Sequence, residues 1–150
     1  LSMQEWKHPF SSARYMAGFI RDNGLQRTHE IVSFPSWAGS ALLPYLPDTE
    51  FWYPDAKRYG TYVVWNQQRE RLERSYKEEP ARLMRAIHRR FLGERNVLVL
   101  LNKPVADPER YRLDPVKEYS DPDAIKLSER YYLYALRTKP VRAPGAEHAR

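Results

Sequence analysis

The chain contains no cysteine, which excludes disulfides, thiolate metal sites and cysteine nucleophiles. Glycine is scarce, at 6 residues, and none gathers into a phosphate-cradling loop. After the first apolar run the sequence reads Phe34-Pro35-Ser36-Trp37-Ala38-Gly39-Ser40, which matches neither a dinucleotide fingerprint nor a P-loop. There is no Gly-x-Ser-x-Gly nucleophile motif. The four histidines, His8, His29, His88 and His148, are far apart and lack helical metal-site spacing. They are expected to be solvated or capping, and neither a metal nor a cofactor is expected. No apolar run approaches the ~20 residues that span a bilayer, and no signal peptide is visible. The opening Leu1-Ser2-Met3 reads as a tag scar or the cut end of a longer protein. No repeat and no block of like charge occurs.

What is present fits one folded domain. A chain of 150 residues with 42% hydrophobic and 29% charged side chains can bury a core. The division expected is a single domain over 1–139 and a mobile tail over 140–150, rich in Pro, Ala, Gly and charge. Net charge is +6, which favours anionic partners. The basic residues are dispersed, so an ordinary basic surface is favoured over a nucleic-acid interface. Eleven tyrosines supply large apolar area with a polar tip.

The stretch from Glu30 to Asn66 organises the rest. Ile31 to Phe34 reads as a buried strand. A helix rich in small residues follows from Ser36 to Tyr45, and Glu50–Tyr53 and Thr61–Trp65 read as two further strands around a polar turn, 54–60. Asp55, Lys57, Arg58 and Tyr59 are placed at its tip. Trp37, Trp52 and Trp65 fall here, so much of the core is expected here too. Upstream, a helix over Ala13–Asp22, capped by Ser11 or Ser12, sets Tyr15, Met16, Phe19 and Ile20 on one stripe. Downstream, 66–76 is a polar helix on which Arg69, Arg71 and Arg74 interleave with Glu70 and Glu73 as a solvated face. Pro80 starts a helix that turns Leu83, Met84, Ile87 and Phe91 inward and ends at Gly93. Asn96 to Leu101 is apolar on both faces and reads as a central strand. Residues 105–129 read as a long loop with at most one helical turn. Arg130 to Arg137 returns to strand, expected antiparallel at the sheet edge. The pattern predicts an α/β fold: a three-layer sandwich around a mainly parallel, Rossmann-like sheet with an antiparallel edge strand.

Open α/β sheets bind ligands beyond the carboxyl ends of their strands. That rule places Ser36, Trp37, Asn66, Gln67, Asn102 and Lys103 around one edge, with Arg58 at the hairpin beside them. Against this, helix capping by Ser36 and packing by Trp37 are the favoured roles. Paired carboxylates such as Asp121 with Asp123 sit in loop sequence, and nothing brings them across a cleft.

Several short motifs carry a resemblance. Pro9-Phe10-Ser11, Phe34-Pro35-Ser36-Trp37-Ala38, Tyr53-Pro54, Arg58 through Asn66 and Glu129 through Tyr134 resemble the soluble C-terminal region of certain bacterial multi-pass membrane proteins. Those proteins are similar to lipid-linked-sugar glycosyltransferases of the dolichyl-phosphate-mannose type. The likeness covers most of Pro9 to Leu136. It implies a non-catalytic, extracytoplasmic domain beside the membrane, because the family's catalytic carboxylates belong to the transmembrane part. The partners implied are the rest of the parent protein, anionic lipid headgroups or a glycan acceptor. Two other readings stand beside it. One is a ligand-binding or enzymatic domain using the strand-end ring; the other is a nucleic-acid binder using Arg and Tyr.

Overall fold

The computed structural model describes residues 11–61, 65–120 and 130–141. Helix α1 (Ser11–Asp22) buries Ala13, Met16, Ala17 and Ile20 at positions one turn apart. Tyr15, expected on that stripe, is instead 57% exposed and meets Tyr119 ring to ring. Gly24, at φ 65°, takes the left-handed turn that ends this helix and leads into the short helix α2 (Leu25–Thr28).

Among the described residues six strands form one open sheet: β1 (Glu30–Phe34), β2 (Phe51–Tyr53), β3 (Arg58–Gly60), β4 (Val97–Leu101), β5 (Leu113–Tyr119) and β6 (Tyr131–Leu136). Their order is β3-β2-β1-β4-β6-β5. β1 and β4 lie side by side in parallel, from Glu30 opposite Val97 to Phe34 opposite Leu101. β2 also runs parallel to β1. The pairs β2–β3, β4–β6 and β6–β5 are antiparallel. The sheet is therefore mixed, not mainly parallel. The β2–β3 hairpin reverses direction over residues 54–57, too few to hold a crossover helix.

β6 is not an edge strand. It lies between β4 and β5, and its apolar side chains on both faces, Tyr131 to Tyr134, are buried accordingly. The edge belongs to β5, within the stretch expected to be loop. β5 carries Pro115, where the pairing register shifts before Lys117, as befits a strand with one free side. β3 begins at Arg58, earlier than the strand expected over Thr61–Trp65, of which residues 62–64 lie outside the described residues. A left-handed Lys57, at φ 53°, closes the turn before it.

Helices cover both faces. On one, α1 and the segment 36–46 pack on Ile31, Phe51, Leu98, Leu100, Tyr131 and Leu133. The helix expected over Ser36–Tyr45 is shorter, α3 (Ser36–Ser40), followed by a 3-10 turn at Leu43–Tyr45. On the other face, α4 (Gln67–Glu78) and α5 (Pro80–Arg90) bring Tyr76, Leu83, Met84, Ile87 and Phe91 onto Val32, Phe34, Val97, Val99 and Leu101. Strand side chains alternate between these two cores as the pleat requires. Tryptophan contributes less than expected: Trp65 is 67% exposed, and Trp37 and Trp52 are half-buried. The expected tail from 142 onward lies outside the described residues.

Candidate binding site at the strand carboxyl ends

Because β1, β2 and β4 are parallel, the residues after them share one edge of the sheet. Ser36 follows β1, and Asn102 and Lys103 follow β4. Arg58 faces the end of β2 through its pairing with Tyr53. The expected ring does not form one site, however. It separates into a buried polar lock and an open pocket.

The lock holds Ser36, which is fully buried. Its Oγ donates to Asp55 Oδ2 at 2.8 Å, and its N–H reaches the same oxygen at 3.4 Å. Ser36 therefore does not cap α3; the Asp55 carboxylate does, where a negative charge suits a helix start. Arg69 Nη1 lies 3.0 Å from Asp55 Oδ2 and 3.4 Å from Glu73 Oε1. Asp55 and Arg69 are each 2% exposed. Asp55 lies in the turn between β2 and β3, as expected, but it is buried there, and Arg69 does not belong to the solvated helix face expected of it. A charge can be buried when its partner is buried with it, and that partner lies in a different element. Ser36 has no exposed surface from which to act as a nucleophile.

The other expected site residues take structural or peripheral places. Asn66 caps α4, its side-chain oxygen accepting from Arg69 N–H at 2.8 Å. Gln67 opens that helix on the surface and meets Arg71 at 3.5 Å. Trp37 is half-buried with Lys77 Nζ 5.9 Å from its ring centre. Arg58 is exposed at the start of β3.

Asn102 and Lys103 do line a pocket. It has a volume of about 340 Å³ and opens beyond the ends of β1 and β4, on the α4–α5 side. Its walls are apolar: Phe34, Tyr76, Leu83, Met84, Leu101 and Val105. Lys77, Lys103 and Arg110 add positive charge, against Asp107 alone among the described residues. Tyr76 meets Phe34 edge to face, with ring centres 5.8 Å apart. The rim is tied to the sheet through Tyr134, whose hydroxyl accepts from Val105 N–H at 3.0 Å. Burial raises the Tyr134 phenol above its ordinary pKa, and the bond from Val105 opposes the rise. Burial likewise raises Tyr76, with the Asp55 charge adding to it. Both phenols thus stay protonated near neutral pH and offer no base.

No family model, curated protein or solved structure was found to match the chain.

The apolar walls escaped sequence reading because their residues look like ordinary core. Leu83 and Met84 do face inward as the stripe predicts, and what they meet there is partly empty space. Of the two roles expected of histidines, His88 takes the capping one: it is half-buried, and its Nε2 donates at 2.7 Å to the Tyr111 carbonyl that ends the 3-10 turn Pro108–Tyr111. Among the described residues no three His, Asp or Glu side chains gather as a metal site, and no helix is long and apolar enough to cross a membrane.

Proposed function

We propose that this chain is a non-catalytic binding domain whose ligand occupies the pocket beyond β1 and β4. The observation that carries the reading is the pocket's chemistry: about 340 Å³ of apolar wall with Asn102, Lys103, Lys77 and Arg110 at its margins. Pockets of this size, mostly apolar with few polar groups, suit a small organic molecule. The positive margin selects one with an anionic or strongly polar end. Naphthalene-2-carboxylate is a suitable probe. Its addition is expected to shift the amide resonances of Leu83, Asn102, Lys103 and Val105. Val105→Trp, at the half-exposed rim, should abolish those shifts while the fold persists. Lys103→Ala should weaken binding about two- to fivefold, as for an exposed charge pair. Shifts that survive Val105→Trp would sink the reading, and chemical turnover of a bound ligand would sink its non-catalytic half.

The resemblance noted in the sequence places this binding role in a larger bacterial membrane protein of the glycosyltransferase-like kind. In that setting the domain lies outside the cytoplasm. Its partners are the rest of the parent protein and either anionic headgroups or a glycan acceptor. The positive net charge supports the headgroup contact. The packing of helices on both faces, with β2-β1-β4 parallel at the centre, supports reading the fold as a three-layer, Rossmann-like variant. Transmembrane helices encoded upstream of Gln4 in the source gene are the expected finding; an upstream frame without them removes the parent.

A further inference from the structure

Beside the apolar pocket lies a second concavity, of about 430 Å³, with different chemistry. Arg85, Arg89, Arg110, Arg112 and Lys139 line it together with His88, and among the described residues no carboxylate does. Arg85 and Arg89 stand one turn apart on α5, on the same stripe as His88. None of the five cations has an ion pair among the described residues. Two carboxylates flanking the 110–112 segment in sequence are engaged elsewhere: Glu109 and Asp114 pair with Arg137 at 2.8 and 3.1 Å.

The groove is also built, not merely crowded. The His88–Tyr111 bond clamps α5 to the 3-10 turn Pro108–Tyr111. Arg112 Nε donates to the Arg137 carbonyl at 2.9 Å, and Gly93 N–H to the Lys139 carbonyl at 2.9 Å. Three elements are thereby held around one space. A carbonyl only accepts, so the proton lies on His88 Nε2; Nδ1 is buried without a partner among the described residues.

Five uncompensated cations around one concavity repel one another and focus a positive potential into it. Guanidinium forks match the oxygens of phosphate in paired hydrogen bonds. We propose that this groove binds the phosphate group of a phosphomonoester or diphosphate ligand. The volume holds a phosphoryl group or two with room left for part of the molecule that carries them. A strand of nucleic acid calls for a long track with successive stacking rings, and among the described residues this lining offers Tyr111 and the hydrogen-bonded His88 ring alone. The groove shares Met84, Arg110 and Tyr111 with the apolar pocket but does not depend on that pocket being occupied.

The phosphate can belong to a soluble molecule or to a lipid headgroup, and titration of the whole chain separates the two. Pyrophosphate, followed by calorimetry, probes the first. Sedimentation with phosphatidylcholine vesicles, with and without phosphatidic acid, probes the second. Arg85→Ala/Arg112→Ala is expected to weaken whichever binding is seen at least about tenfold. Arg14→Ala/Arg27→Ala, which removes the same charge elsewhere on the exposed surface, should change it less than about twofold. Arg112 has φ 60°, so Arg85→Ala/Arg89→Ala on the exposed helix surface serves if that position disturbs folding. Absence of both bindings in the unaltered chain overturns the proposal. So does equal weakening by groove and control pairs, or capture of a single-stranded oligonucleotide where pyrophosphate and phosphatidic acid fail. Naphthalene-2-carboxylate binding is read in the same samples, so failure here is distinct from failure of the apolar pocket.

Discussion

One carboxylate oxygen, Asp55 Oδ2, accepts from the Ser36 N–H, the Ser36 hydroxyl and Arg69 Nη1. Asp55 Oδ1 and Arg69 Nε and Nη2 are buried beside it without partners among the described residues. A buried ion pair of this kind is weak evidence for stability but strong evidence for mutual dependence. Arg69→Met should lower the unfolding free energy by about 3–5 kcal/mol, because it strands a buried carboxylate. Arg69→Met/Asp55→Leu should lose less than the sum of the two single changes, since neither charge then needs solvation. Urea unfolding of the four proteins measures the difference. Additive losses would mean that the two side chains act separately, and that Asp55 serves α3 alone. Trp65 completes the arrangement from outside, its exposed ring 4.4 Å from the Arg69 guanidinium.

Between elements, the tightest constraint is the approach of α3 to the sheet. A Cβ on Gly39 would stand 2.6 Å from Ser33 Cβ on β1 and 2.9 Å from the Phe51 ring on β2. Neither neighbour can retreat without leaving its strand. Gly39→Ala should therefore cost about 1–3 kcal/mol by overpacking, read as a lower midpoint in thermal unfolding; an unchanged midpoint would show that α3 can lift away. This close approach was legible as the run Ala38-Gly39-Ser40-Ala41, and so were β1 and β4, whose apolar residues on both faces require a covered central position. The inward faces of α1 and α5 followed from their period, apart from Tyr15. β5 was not legible, because an edge strand such as Leu113–Tyr119 leaves most of its side chains in water and carries a proline. Nor was the Asp55–Arg69 pair, since hydrophobic periodicity says nothing about a charge whose burial depends on a partner 14 residues away. Of the ring expected at the strand ends, Asn102 and Lys103 reached the pocket. Ser36 and Asn66 were taken up by the polar contacts that hold α3 and α4.

Across the whole molecule, one sheet serves two cores, and buried tyrosines sit in both. Tyr53 belongs to the α1 side, and Tyr76 and Tyr134 to the α4–α5 side. Burial is the first cause that raises all three above the ordinary phenol value of 10.0. In the unfolded chain these phenols lose their protons near that ordinary value, while in the fold they hold them to higher pH. The unfolded state thus binds fewer protons in that window, so the tyrosine contribution to stability is intact below about pH 10 and falls as pH rises through the folded values. Each β strand at the centre lends alternate side chains to opposite faces, so neither core can ionise and loosen without taking the shared backbone with it. Alkaline unfolding should then be one cooperative transition, with tyrosinate absorbance and circular dichroism changing together. Tyr53→Phe and Tyr134→Phe should each flatten the fall of stability above pH 10 from opposite sides of the sheet, even though each also removes a hydrogen bond, with Ser40 and with Val105 respectively. A transition that splits into two, each abolished by a different substitution, would mean that the faces melt independently and that the sheet does not couple them.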